Sequence, residues 1–107
     1  MTIGFRAASV DDVRLLAGLA KASFDPLYGE GWTGAQLVGT LAQPAAWGEI
    51  IARDGQAAGF TLSRFAADEA ELLLVAVDPS ARGCGIGGAL MRHVMDGARA
   101  RGAAIMH

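Results

Sequence analysis

Hydrophobic and polar positions change period several times along the chain. Residues 2–7 alternate loosely, as expected of a strand whose two faces meet different surroundings. Ser9 and Asp12 follow at the spacing of a capping box, with Asp as a shorter stand-in for the usual Glu or Gln. Behind them Val13, Leu16, Ala17, Ala20 and Phe24 recur at helical spacing, predicting a first helix that reaches residue 24. Asp25, Pro26, Gly29 and Gly31 then form a loop. Thr33 caps a short second helix running to residue 43, where Pro44 prevents a longer one.

The second half returns to strand periods. Residues 46–52 form one strand, Asp54-Gly55 signals a hairpin, and residues 57–65 come back. Asp68 and Glu69 mark a turn before residues 71–77, a nearly continuous apolar run of the kind buried on both faces. Asp78-Pro79 ends that strand. A helix over residues 87–100 places Leu90, Met91, Val94, Met95 and Ala98 on its apolar side, Gly102 stops it, and residues 104–107 begin another strand. The order is β-α-α-β-β-β-α-β. It predicts an α/β domain, a mixed sheet flanked by helices, in one unit spanning residues 1–107 with no internal repeat or linker.

Composition narrows the function classes. Hydrophobic residues make up 52% of the chain, enough for a core, yet no apolar run approaches the roughly 18 residues of a membrane span. The first dozen residues carry Ser9, Asp11 and Asp12 where a secretory signal would be apolar. A cytoplasmic protein without membrane partners is expected. A net charge of −2 argues against nucleic acid as a partner, because phosphate neutralisation needs a basic surplus. The single cysteine, Cys84, excludes an internal disulfide and a multi-cysteine zinc site, and two isolated histidines make no metal site.

Of the 15 glycines, four fall between Gly83 and Gly88. They sit between the apolar strand and the last helix, where successive glycines let backbone N–H groups converge into an anion-binding hollow. The helix N-terminus adds unpaired donors and partial positive charge. A phosphate or pyrophosphate is the natural occupant. Gly83-x-Gly85-x-x-Gly88 matches the dinucleotide fingerprint literally, but that motif follows its strand directly and needs an acidic residue about 20 positions on. Here a stretch of other residues separates Val77 from Gly83. A Walker loop fails as well, for no Lys-Ser or Lys-Thr follows the glycines.

What fits is Arg82-x-x-Gly85-x-Gly87 after a strand ending Val77-Asp78-Pro79. This resembles the acyl-CoA signature R/Q-x-x-G-x-G/A of the GNAT superfamily of N-acetyltransferases. The resemblance implies the GNAT fold, cut at the start of its fifth strand, with acetyl-CoA as acetyl donor and no metal. It implies that backbone at Val75, Ala76 and Val77 meets the pantetheine arm. The loop formed by Arg82, Gly83, Cys84, Gly85, Ile86, Gly87 and Gly88 would meet the pyrophosphate. Within the superfamily the chain is most similar to the RimI-like ribosomal-protein-alanine N-acetyltransferases, through Ala22-Ser23-Phe24, Trp32-Thr33 and Asp68-Glu69-Ala70-Glu71-Leu72. The implied reaction is attack of a neutral primary amine on the thioester, the acceptor being a ribosomal or other protein N-terminus. A small-molecule amine is the alternative acceptor.

Glu71 is the candidate general base. It opens the apolar strand, and strict alternation puts it on the face of Leu73, Val75 and Val77. Several GNAT enzymes carry a general-base glutamate at the equivalent place. The competing reading is a solvated strand-end carboxylate, since unpaired Glu is rarely buried. The RimI-like group also uses a glutamate on the next strand and a later tyrosine as general acid, and both would fall beyond His107. Tyr28, the single tyrosine, does not replace that acid. Phe24 and Trp32 are candidates for the acceptor cleft, with a core role as the alternative. Cys84 reads as a loop residue, since no partner His or acid stands in motif relation to it. His93 reads as solvated, and Arg92, Arg99 and Arg101 with Asp96 as a solvated helix face, Arg92 and Asp96 being spaced i,i+4.

A full domain of this family is longer by about a quarter to a third. The chain is therefore expected to leave a strand edge open, which invites a homodimer through that edge. The alternative to an active enzyme is a catalytically incompetent CoA-binding or self-associating remnant.

Overall fold

The computed structural model describes residues 1–23 and 32–107. Five strands form one sheet in the order β1-β2-β3-β4-β5: β1 (Ile3–Ala8), β2 (Ala46–Arg53), β3 (Gln56–Ala66), β4 (Glu69–Val77) and β5 (Ile105–Met106). The first four pair antiparallel, and β5 joins β4 in parallel. A parallel neighbour needs a crossover, and α3 (Ile86–Ala100) supplies it. Helices α1 (Val13–Ser23) and α2 (Gly34–Leu41) cover the opposite face. This is the mixed α/β architecture and element order that the sequence periods predict.

Local sequence explains the boundaries. Ser9 caps a 3-10 turn, Val10–Asp12, that leads into α1. The Ser9 N–H donates to the Asp12 carboxylate at 2.9 Å, and the Asp11 N–H to the Ser9 hydroxyl at 3.3 Å. The Arg6 guanidinium bonds both Asp12 oxygens, at 2.8 and 2.9 Å. These bonds, the one from Arg6 foremost, hold the Asp12 carboxyl well below its ordinary pKa, at about 2. Thr33 and Gln36 form a second capping box at α2, which ends at Leu41, two residues short of the predicted limit. The β3–β4 turn is Ala67-Asp68, with Ala67 at φ 57°, so β4 starts at Glu69 rather than Glu71.

Two cores sandwich the sheet. Leu16, Leu19, Ala20 and Leu37 pack on Ile50, Phe60, Leu62, Leu74 and Ala76. On the other face Ile86, Leu90, Val94 and Ala98 of α3 meet Ile51, Ala58, Trp47 and Ala70. Phe60 and Leu62 are completely buried, and each large side chain of this kind contributes roughly 1.5–3 kcal/mol. Met95, expected on the apolar side of α3, is exposed, because the core-facing stripe runs through Leu90, Val94 and Ala98.

The apolar run of β4 is not buried on both faces. Glu69, Glu71 and Val75 are exposed while Ala70, Leu74 and Ala76 are buried. The register explains this: Ser63 pairs with Leu72 and Leu62 with Leu74, which leaves Leu73 as an extra, bulged residue. The bulge reverses the alternation. Glu71, beside Arg64, shares the α1/α2 face with Leu73 and Leu74, whereas Val75 and Val77 turn to the α3 face. The expectation that Glu71 lies on one face with Val75 and Val77 is thereby overturned.

Candidate functional site

Three features converge at the C-terminal end of β4. The first is an open strand edge. On its outer side β4 pairs with β5 at Glu69 and Ala70, and Leu72 N–H donates to the His107 carbonyl at 2.8 Å. Past Leu72 that edge has no strand partner among the described residues. Asp78 N–H donates inward to the Ala58 carbonyl at 2.8 Å, so the alternation of a strand directs the backbone groups of Val77 and Val75 outward. Polar backbone groups at such an edge are ready to bond an extended chain. The Val75 side chain is exposed, that of Val77 half-buried, and that of Ala76 faces the core.

The second feature is the turn from β4 into α3. Asp78 caps it, its carboxylate accepting from the Ser80 N–H at 2.9 Å and the Ser80 hydroxyl at 2.6 Å. Those bonds hold the Asp78 carboxyl below its ordinary pKa, with Arg82 and Arg53 adding to the effect. Gly83 and Gly85 then take φ of 81° and 78°, values that other residues adopt only at a cost. Gly85 is the cap of α3 and offers it no side-chain acceptor. The first N–H groups of α3 thus receive no side-chain cap, beside a loop in which Arg82, Gly83, Cys84 and Gly85 are exposed. A side chain built on Gly83, Gly85 or Gly87 would meet no atom within 4 Å, so the space beside these glycines is open to a ligand. The loop offers backbone amides together with cationic side chains, which suits a pyrophosphate. Ile86 is the exception among the loop side chains, being buried in the core under α3.

The third feature is how the loop is held. Arg82 Nη2 donates to the Ser23 carbonyl at 2.6 Å, tying the loop to the C-terminal end of α1. Arg53, at the end of β2, donates from Nη1 to Cys84 Sγ at 3.2 Å. Nothing in the sequence links Arg53 to the glycines: the hairpin signal places it beside a turn, and only the fold brings that turn to the loop.

Glu71 sits near the start of β4, half-exposed, with one carboxylate oxygen 2.7 Å from Arg64 Nη2. Its neighbour Leu72 is the last residue of β4 bonded outward before the open edge. The Glu71 carboxylate is thus paired, not simply solvated. Trp32 is half-buried against the α1/α2 core, which favours its packing role. Phe24 and Tyr28 lie outside the described residues.

His93 is not simply solvated. Its ring stacks on Phe5 with centroids 4.0 Å apart, and Nε2 lies 3.2 Å from the largely buried Glu49 carboxylate. Asp96 pairs with Arg99 at 3.1 Å in place of Arg92, and Arg101 lies over the Trp47 ring at 4.2 Å. No cluster of three or more metal-ligating side chains occurs among the described residues.

A mixed sheet whose fourth strand leads through a glycine-rich loop into a crossover helix is the arrangement that the acyl-CoA signature implies. The chain belongs to the GNAT acetyltransferase family, whose model matches residues 16–107. Solved structures agree on the fold. The ribosomal-protein-S18-alanine N-acetyltransferase from Escherichia coli superposes with a TM-score of 0.86 at 20% identity, over 98% of this chain and 66% of that one. The PaiA N-acetyltransferase from Thermoplasma acidophilum, solved in complex with coenzyme A, gives 0.80 at 21% identity, over 95% and 75%. A ribosomal-protein-alanine N-acetyltransferase from Brucella melitensis gives 0.77 at 18% identity, over 98% and 77%. The chain thus spans about two thirds of the length of the Escherichia coli protein. No curated protein matches it in sequence.

Proposed function

We propose that this chain is the acetyl-CoA-binding part of an N-acetyltransferase that acylates a primary amine, preferentially the α-amine of a protein N-terminus. The observation that carries the reading is the loop of Arg82 to Gly88, with two glycines in left-handed conformation and an uncapped helix start beside the open edge of β4. The loop amides bind the pyrophosphate, and the outward backbone of Val75 and Val77 bonds the amide groups of the pantetheine arm. Ile86 contributes through its backbone, since its side chain belongs to the core, whereas Ala76 bonds inward to β3 and holds the strand in place.

In the reaction the amine nitrogen bonds to the acetyl carbon, the carbon–sulfur bond breaks, and the proton lost by the amine is balanced by protonation of the departing CoA sulfur. Glu71 receives that proton directly or through a water molecule, with Arg64 fixing its carboxylate. The preference for a protein N-terminus rests on the similarity to ribosomal-protein-alanine N-acetyltransferases.

Calorimetric titration with acetyl-CoA tests the binding step. A free-thiol assay with a peptide bearing an N-terminal alanine tests transfer. Saturable binding that Gly85→Glu abolishes, with peptide-dependent thiol release, is the expected result. Absence of binding by the folded chain would refute the cofactor reading, and binding without release would refute transfer by the chain on its own.

A further inference from the structure

The acyl-CoA signature contributes one cation, and the structure engages it elsewhere: Arg82 is bonded to the Ser23 carbonyl at 2.6 Å. CoA carries a pyrophosphate and a 3′-phosphate, and backbone amides alone leave much of that charge uncompensated. Two arginines outside the signature approach the loop, one at Cys84 and the other at Gly88. Arg53 comes from the β2–β3 hairpin and reaches Cys84, with Nη1 3.2 Å from Sγ. Arg92 lies nearly two turns into α3. Long side chains on a helix lean back toward its N-terminus, and Arg92 Nη1 lies 3.4 Å from the point where a side chain on Gly88 would begin. Gly88 thus leaves open the ground over which Arg92 returns to the start of the helix.

Neither guanidinium has a carboxylate within 4 Å among the described residues, in contrast to Arg6, Arg64 and Arg99. The acidic group nearest the loop in sequence, Asp78, is committed to the N–H and hydroxyl of Ser80. Arg53 also lines a pocket of about 350 Å³ between the hairpin and the Pro79–Ala81 turn, together with Gln56, Asp78 and Ser80. Phosphate oxygens beyond the reach of the loop amides therefore have a cation near Cys84 and another near Gly88.

We propose that Arg53 and Arg92 form a cation clamp on the phosphates of CoA, while Arg82 serves to fix the loop against α1. The inference rests on the cofactor reading above and adds to it the residues that set affinity for the charged end of the ligand. Arg92 is exposed and Arg53 half-buried, so each is expected to act as a charge-assisted contact of moderate strength.

The test is calorimetric titration of the full chain with CoA at low and high salt. The proteins compared are the wild type, Arg53→Gln, Arg92→Gln, the double variant, and the corresponding Lys variants, each with its thermal unfolding recorded. Each Gln variant should weaken binding about tenfold and the double variant about a hundredfold. The Lys variants should recover most of the loss, and the double variant should lose much of the salt dependence. Gln variants that fold and bind like the wild type overturn the clamp and leave the loop reading standing. A folded wild type that does not bind CoA overturns both.

Discussion

The Glu71 carboxylate and the Arg64 guanidinium meet at 2.7 Å across paired positions of β4 and β3. Both side chains are about half exposed, so the pair adds at most about 1 kcal/mol to stability. Its interest is orientation: the bond aims one carboxylate from the strand whose outer edge opens at the next residues. Glu71→Gln is expected to leave the unfolding midpoint nearly unchanged. It should slow acetyl transfer by about a hundredfold, the lower end of the usual range for a lost general base. The ratio of turnover at matched acetyl-CoA saturation checks this, and unchanged turnover would remove Glu71 from the mechanism.

Gly85 combines a left-handed backbone with an open side. Gly85→Ala should cost about 1–2 kcal/mol of stability through the backbone alone. Acetyl-CoA affinity should fall further than stability does, because the N–H groups at the start of α3 lose their alignment. Thermal unfolding and titration on the same preparation separate the two effects.

Gly59 of β3 is required for a different reason. A side chain there would begin 2.6 Å from the Ala76 carbonyl oxygen on β4. Backbone cannot yield as a flexible side chain does, so Gly59→Ala should destabilise by about 1–3 kcal/mol. For a domain of this size each kcal/mol lowers the unfolding midpoint by about 4–8 °C. The variant should also disturb CoA binding, since the displaced carbonyl belongs to the strand that carries Val75 and Val77.

The Arg6–Asp12 pair gives a pH dependence of defined sign. Asp12 titrates at about 2 in the folded chain, below the ordinary carboxylate value of 3.8. Its stabilisation is complete above about pH 4 and is lost as pH falls toward 2. Asp12→Asn should cost about 1 kcal/mol at neutral pH, counting the weakened cap and discounting the exposed Arg6. The two proteins should converge in stability near pH 2. Melting curves across that interval test it, and a constant difference would exclude the linkage.

Periodicity made most of the architecture readable. The strands, the three helices and the Ser9 cap appear in the predicted order because each follows from a local pattern. The signature loop was readable for the same reason, its glycines being needed by local backbone geometry. The β4 bulge was not readable: a run of three leucines looks alike in either register, and the shift shows only against Ser63 and Leu62 on the partner strand. The Arg53–Cys84, Arg82–Ser23 and His93–Glu49 contacts likewise join residues far apart in sequence. No spacing rule encodes such pairings.

Leu73 makes β4 a strand with two reading frames. Upstream of it, even-numbered residues face α3. Downstream of it, odd-numbered residues do. Removing that one residue would bring Leu72 and Leu74 into ordinary alternation, and both halves of the strand would keep their native faces. Loss of a single residue is therefore expected to be better tolerated at Leu73 than within the unbulged stretch 60–62 of β3, where it would turn one half of the strand inside out.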